Sequence, residues 1–531
     1  MAMEGLGSAA SGEGNSFPAR LGAIVLAHAA LILPLLGRTT LYDIDEGRIA
    51  QVSREMALSK DFITPRLGEL PFACYPPLPY WLMAASGSVF GWNEFAMRLP
   101  GALCGIALVA MTGLAVRRLG GERAGLLAAA VLATLPGFLG QESTCRADVT
   151  TMFLATAALD RFLVWAEAEE KDRRRRDLAL VYLLASLGVL AKGPIALAVL
   201  GVGGLAWFAV RGRWGLLRRM GWSWGIPFSA AIVLPWYLFV YLSAGAGFLR
   251  ENLLLENLEA FTRGYQQRRP WYFYLKVAAA ALFPWFLALG FSWRVRGARG
   301  LGYALAWAAG VFLFLSISSA KRQSYLVYLD VPLAMAAGIT LAALLEEVPS
   351  LLRKSLAGLG GLCAATAAGI AVVPSPTWTA ERIQAILDLM PLLTLLLGAG
   401  GIALAGISWR GGALAGTASL AALMAGGFVL FRAAIAPRWD RPGLAVAAFC
   451  RRAAAAVPPG RRIGYLVTAQ PDGAFHFYAG HPLQPRRGEP GYYLLSQDQM
   501  KQLEERGRKI RLLDSVQDER QRGLHLVEVL E

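Results

Sequence analysis

The chain of 531 residues is 56% hydrophobic and only 17% charged, where a soluble domain carries about 25% charge. Its apolar residues gather in runs of roughly 17–25, each long enough to cross about 30 Å of hydrocarbon, which excludes a soluble globular enzyme. The formal net charge of +15 then reads as Lys and Arg holding cytoplasmic loops against anionic lipid, and not as a nucleic-acid surface.

Residues 1–18 are small and polar, as in a disordered cytoplasmic tail. Arg20 leads into the apolar run 21–37, which ends without a small-residue cleavage site and reads as a retained first span. The expected spans are 19–37, 99–116, 124–141, 149–166, 178–191, 194–210, 223–243, 272–292, 301–317, 325–344, 355–373, 391–408 and 412–431. Lys192-Gly193-Pro194 interrupts the pair between 178 and 210. With a cytoplasmic N-terminus, the inner loops are "RRLGGER", "EKDRRRRD", "RGRWGLLRR", "WRVRGARG", "LRK" and "WRG", all short and basic as the positive-inside rule requires. The opposite face receives loops 38–98, 142–148 and 244–271, which hold most of the acids and polar aromatics, together with the C-terminal segment.

Within the first of those loops, "PPLPYWLMAASGSVFGW" (76–92) is too short and Pro-broken to span, and reads as an interfacial helix with Trp81 and Trp92 at the membrane surface. From Pro437 the composition changes. "RRIGYLVTA", "GAFHFYAG" and "HLVEVL" look like short strands and "SQDQMKQLEERG" (496–507) like a surface helix. The expected fold class is an all-α polytopic membrane protein of about 13 transmembrane helices (19–436), with a small C-terminal α/β domain (437–531). The five cysteines (74, 104, 145, 363 and 450) have neither zinc spacing nor the pattern of a disulfide framework.

Ionisable residues at membrane depth cost about 2.5–3.5 kcal/mol or more each, so they point to function. Four groups fall on the same predicted face. "DIDEGR" places Asp43, Asp45, Glu46 and Arg48 beside the first span; "CRAD" puts Arg146 and Asp148 at the start of the fourth. Lys192 lies between two apolar runs, and Lys321-Arg322 sit against the positive-inside bias, where they need an anionic partner such as a lipid-linked phosphate. Singly, each has an ordinary reading: a solvated loop, a carboxylate at a helix N-terminus, a snorkelling lysine. Together they suit chemistry on a lipid-linked anion better than transport, which places charge at the midplane between broken helices.

The stretch "DIDEGRIAQVSREMALSKDFITPRLGELPFACYPPLPYW", followed in order by "RADVTTMF", "AKGPIALAV", "RRPWYFYLKVAAAALFPW" and "FLFLSISSAKRQSYLVYLDVPLAM", resembles the bacterial relatives of protein O-mannosyltransferases, including the lipid A aminoarabinose transferases. The resemblance covers about residues 20–345. It implies a GT-C fold in the bacterial inner membrane with a periplasmic active site, and a periplasmic C-terminal domain. The implied donor is a polyprenyl-phosphate sugar, usually undecaprenyl-linked, and the acceptor a lipid A, envelope glycan or protein. The family's Asp-Glu pair falls on Asp45-Glu46, so its catalytic aspartate maps to Asp45 and not Asp43, and its second to Asp148. Arg268-Arg269 and Lys321-Arg322 match external-loop positions suited to the donor phosphate.

That set makes chemical sense. Sugar transfer passes through an oxocarbenium-like state, a departing polyprenyl phosphate is stabilised by Lys or Arg, and a carboxylate can deprotonate the acceptor hydroxyl. Asp45 is the expected base; Asp148 either orients it or binds acceptor or donor sugar. Inversion at the anomeric carbon is the expected outcome. The substrate-binding candidates are Glu46, Arg48, Arg66, Tyr75, Arg146, Lys192, Arg268, Arg269, Lys321 and Arg322, with Glu46 and Arg48 also supporting the loop's shape.

One departure stands out. Where the aminoarabinose transferases typically carry Glu-Lys before Pro-Pro, this chain has Cys74-Tyr75, which supplies neither carboxylate nor fixed positive charge. No metal ligand is assigned, and whether a divalent cation takes part is left open. Asn257 stands where many relatives carry histidine. Cys74 and Cys145 lie in two external loops, so a disulfide between them is conceivable in an oxidising compartment. Two other classes of function compete with a transferase: a transporter or flippase of lipid-linked sugars, and a membrane scaffold whose C-terminal domain binds a partner.

Overall fold

The computed structural model describes residues 16–41, 44–68, 70–263, 269–372, 390–458, 461–466, 473–480, 484–486, 488–517 and 523–530. Most of the expected N-terminal tail, Asp43 and Arg268 lie outside the described residues.

Apolar runs become helices throughout. In chain order the first ten are α1 (Ser16–Ile32), α2 (Ile44–Ser59), α3 (Leu78–Phe90), α4 (Glu94–Gly120), α5 (Glu122–Ala133), α6 (Pro136–Glu142), α7 (Ala147–Glu167), α8 (Arg175–Lys192), α9 (Ile195–Arg211) and α10 (Trp222–Leu249). Beyond them come Phe273–Ala281, Leu301–Ile317, Val327–Glu347, Pro349–Val372 and Met390–Leu430. The signals at their ends are local. Asn93 caps α4 by accepting the Ala96 N–H at 2.9 Å, and Arg117 and Arg118 face the dipole at its other end. Lys192-Gly193-Pro194 ends α8 and starts α9, with Gly193 at φ 87°.

Each expected span coincides with helix, with two differences in detail. Among the described residues, six helices are long and apolar enough to cross a membrane, or seven if α5 and α6 form one bent span. Of the thirteen expected traverses, Met390–Leu430 holds two, divided at Gly412 (φ 87°); α9 and Leu301–Ile317 are shorter than a full span, and α8 and Pro349–Val372 are not among the six. The expected span 272–292 is not continuous: Phe273–Ala281 stops before Pro284, whose ring nitrogen cannot donate to a helix. Pro136 likewise splits α5 from α6 at a 62° bend.

That bend is stapled from α1. The His28 Nδ1–H donates to the Ala133 carbonyl at 3.0 Å, and His28 Nε2 shares a proton with Glu142 Oε2 at 3.0 Å. Both side chains are fully buried. Gly105 makes room for the carboxyl, since a Cβ there would lie 2.3 Å from Glu142 Oε2 and 3.0 Å from its Cβ.

At the C-terminus, helix Arg441–Ala456 leads into a five-stranded sheet. Its spatial order is Gln484–Arg486, Ile463–Leu466, Gly491–Ser496, Gly523–Val529, Ile510–Gln517, the first three parallel and the others antiparallel. Ser496 and Gln499 form a capping box on the helix Gln497–Glu505. "GAFHFYAG", expected as a strand, is instead the helix Gly473–Ala479. Its side chains are buried on nearly every side, so the short apolar run carries no period that separates strand from helix.

Gly105→Val should press on the buried Glu142 and cost about 1–3 kcal/mol. The expected result is a lower thermal midpoint in detergent; an unchanged midpoint would show that the α5–α6 bend tolerates movement of Glu142.

Candidate active site

The loops expected on one face converge. Asp45, in the first turn of α2, has its Oδ2 3.5 Å from both Arg146 Nη2 and Arg322 Nη1. Two residues past Arg146, on the first turn of α7, Asp148 is buried and ion-paired to the Lys192 ammonium, with the Tyr328 hydroxyl 3.4 Å away. Lys192 is framed by aromatic faces, its Nζ 4.9 Å from the Tyr325 ring centre and 5.6 Å from that of Tyr75.

The scaffold beneath is a second ion pair. The Arg98 guanidinium grips Glu46 through two bonds of 3.1 and 2.9 Å, and both residues are buried. Its remaining N–H groups donate to the carbonyls of Leu36 (2.7 Å), Thr39 (2.7 Å) and Thr40 (2.9 Å). Glu46 Oε1 also accepts the Cys145 N–H at 2.9 Å. One buried Arg–Glu pair thus ties α4, the approach to α2 and the start of α7, and sets Asp45 beside Arg146.

Beside these charges opens a cavity of about 360 Å³. Its polar wall holds Lys192, Arg322, Glu256, Asn257, Tyr75 and Tyr325; its apolar wall is built from Ile195, Ala198, Leu253, Phe261, Phe314 and Leu315. Cys74 also lines it, and burial pushes that thiol up to about 12, so it remains a neutral group. Burial likewise raises the Tyr75 phenol, and the Cys74-Tyr75 pair supplies no charge. Cys74 and Cys145 are not bonded to each other: Cys145 is buried, with its Sγ 3.4 Å from the Glu46 carbonyl it donates to. Among the described residues no group of three or more His, Cys, Asp or Glu is arranged to hold a metal ion.

Of the candidate substrate-binding residues, Lys192, Arg322 and Tyr75 line the cavity, and Arg146 pairs with Asp45, which Arg322 also faces. Others lie away from its walls. Glu46 is engaged by Arg98. The Arg48 Nε is buried, without a hydrogen-bond partner among the described residues. Arg66 faces Asp61 at 3.9 Å, Arg269 lies over the Phe273 ring, and the Lys321 ammonium donates to the Ser318 carbonyl. Sequence reasoning missed Arg98, Glu256 and Tyr325. Arg98 abuts the predicted span 99–116, a charge at membrane depth that signalled a partner.

A further carboxyl lies on α2. Glu55 accepts hydrogen bonds from Gln51 Nε2 (2.8 Å) and the Gly68 N–H (3.0 Å), yet burial pushes it up to about 7.

Comparison with known proteins fits this geometry. Residues 45–245 match the family model described as dolichyl-phosphate-mannose-protein mannosyltransferase. The chain is 31% identical over 348 residues to the undecaprenyl phosphate-alpha-4-amino-4-deoxy-L-arabinose arabinosyl transferase of Edwardsiella ictaluri, covering 63% of this chain and 62% of that protein. It is 29% identical over 324 residues to transferase 1 of the same description from Pseudomonas fluorescens, covering 60% and 56%. The alignments thus span about three fifths of these relatives' own length. The crystal structure of ArnT from Cupriavidus metallidurans bound to undecaprenyl phosphate superposes with a TM-score of 0.80 at 22% identity, over 98% of both chains. The fold is GT-C, of the ArnT type. The Archaeoglobus fulgidus oligosaccharyltransferase is a more distant neighbour, with a TM-score of 0.52 at 13% identity over 91% of this chain and 70% of that one. The chain is a multi-pass membrane protein with the likeness read from its loop motifs.

Glu55 gives a pH test. Its folded value of about 7 lies above the ordinary 4.5, so between those values the folded state keeps a proton that the unfolded state has released. Stability should therefore fall as pH rises from about 4.5 to 7 and then level off. Glu55→Gln is expected to flatten thermal midpoints measured from pH 5 to 8; an identical slope in the variant would remove Glu55 as the cause.

Proposed function

We propose that the chain is an inner-membrane glycosyltransferase that moves a sugar from a polyprenyl phosphate, most simply undecaprenyl phosphate, to a hydroxyl of lipid A, another envelope glycan or a protein on the periplasmic side. One observation carries the reading: Arg322 both lines an amphipathic cavity and lies against Asp45. A lipid-linked phosphate seated on Lys192 and Arg322 would set its first isoprene units along the Ile195–Leu253–Phe314 wall. The solved relative bound to undecaprenyl phosphate and the curated arabinosyl transferases support that donor class.

The step follows from the charges. The acceptor oxygen attacks the anomeric carbon while Asp45 takes the hydroxyl proton. The bond from that carbon to the phosphate oxygen breaks, and the polyprenyl phosphate leaves with one more negative charge than it carried as the donor diester. Lys192 and Arg322 stabilise that added charge. A phosphate that draws Arg322 toward itself also frees the Asp45 carboxylate to accept a proton. Asp148, buried and committed to Lys192, is a positioning residue: it fixes the ammonium that meets the phosphate. With Asp45 as the base and no carboxylate assigned as nucleophile, inversion is the expected stereochemical outcome.

Asp45→Asn separates this reading from a flippase. In proteoliposomes, transfer from a labelled undecaprenyl-phosphate sugar to lipid A should fall by about 10²–10⁴-fold, the usual contribution of general base catalysis. A variant that transfers at the wild-type rate would exclude Asp45 as the base. Movement of labelled lipid across the bilayer by both proteins, with no product, would favour the flippase.

A further inference from the structure

Among the described residues, the C-terminal segment contributes none to the walls of the cavity, yet it is bonded to the chain on both sides of Asp45. Upstream, Asp440 receives the Thr40 N–H at 2.5 Å and the Thr40 hydroxyl at 2.8 Å. The Tyr478 hydroxyl accepts the Leu41 N–H at 2.8 Å and donates its own proton to Glu94 Oε1 at 2.8 Å. Downstream on α2, Arg54 donates to the Phe477 carbonyl at 3.0 Å, its guanidinium 6.0 Å from the ring centres of Trp92 and Phe477.

The two sets of bonds divide the work on the approach to Asp45. Arg98 takes the carbonyls of Leu36, Thr39 and Thr40 from within the bundle. Asp440 and Tyr478 take the N–H groups of Thr40 and Leu41 from the other side. Polar backbone in such a turn must find partners, and here they come from two distant parts of the chain. The apolar contacts agree: Ile49, Val52 and Met56 of α2 share one buried cluster with Val446, Phe449 and Phe477. Helix α2 is therefore packed into the C-terminal domain as much as into the membrane bundle.

We infer that the C-terminal domain acts on catalysis by positioning Asp45, with Asp440 and Tyr478 as the residues that set its approach. This rests on Asp45 being the base of sugar transfer. A shift of about 1 Å in a reacting group is enough to cost about 100-fold in rate. Removing one hydroxyl that fixes the turn should therefore reach the chemistry without touching the donor.

Tyr478→Phe in the full chain, reconstituted in lipid nanodiscs, keeps the ring and deletes the acceptor for Leu41 and the donor to Glu94. Asp440→Asn is the companion, retaining a single carbonyl acceptor for the two Thr40 donors. Each should lower kcat by about 10- to 100-fold, with KM for donor and acceptor within twofold of wild type and a folded elution profile. Tyr478→Phe combined with Asp45→Asn should be no slower than Asp45→Asn alone, because both act through one group. A wild-type kcat in Tyr478→Phe, with Asp45→Asn inactive, would overturn the inference and leave the base assignment standing. Wild-type rates in both variants would overturn the base assignment as well. A rise in acceptor KM with unchanged kcat would also overturn it, by assigning the domain to acceptor selection.

Discussion

The buried pair of Arg98 and Glu46 is the constraint on which the rest of the site depends. Breaking such a pair leaves an uncompensated charge in the interior, at a cost of about 3–5 kcal/mol, so the elements it joins are held in one arrangement. Those elements are the N-terminal end of α4, the turn from Leu36 to Thr40, the first turn of α2 and, through the Cys145 N–H, the start of α7. Asp45 precedes Glu46, and Arg146 follows Cys145. Their approach is a consequence of that one guanidinium, which spends its donors on a carboxylate and three carbonyls.

Around this anchor the ionisable groups sort by task. Glu46 is paired with Arg98, Asp148 with Lys192, and Asp45 alone among the three stands between two arginines, one of which lines the cavity. The cavity lining is mixed, with Lys192, Arg322 and Glu256 alongside aliphatic and aromatic carbon. An amphiphile with a phosphate at one end matches both walls at once, and a free sugar or a soluble nucleotide would leave the apolar wall bare. The loss of a charged pair at Cys74-Tyr75 does not empty the site of charge, because Lys192, Arg322 and Glu256 come from three other segments.

Much of this was legible in the sequence, for reasons that can be stated. Spans are readable because a membrane demands long apolar runs; charge beside such runs marks the Asp43–Arg48 cluster, Asp148 and Lys192, and only the family resemblance separates Asp45 from Asp43. The bends at Pro136 and Pro284 were not legible, since the apolar run continues through each. Lys321 and Arg322 read alike as a basic pair, yet Arg322 has extended backbone (φ −112°, ψ 143°), where neighbouring side chains point to opposite sides. Arg322 lines the cavity, whereas Lys321 does not and its ammonium bonds the Ser318 carbonyl. Glu256 lies in a polar external loop where a carboxyl carries no local signal, and Arg98 adjoins an apolar run without any local pattern that names Glu46 as its partner. The contacts that join Thr40 and Leu41 to Asp440 and Tyr478 span some four hundred residues of chain, which no local pattern encodes.

Arg322 both lies against Asp45 and lines the cavity, where the proposed reading seats the phosphate of the lipid donor. Equilibrium binding of undecaprenyl phosphate to purified wild type, Arg322→Gln and Asp45→Asn measures this directly. The expected result is a loss of about 10-fold or more in Arg322→Gln, the size of one charge-assisted hydrogen bond, with Asp45→Asn binding at least as tightly as wild type. Wild-type affinity in Arg322→Gln would contradict it, and would move the phosphate away from Asp45.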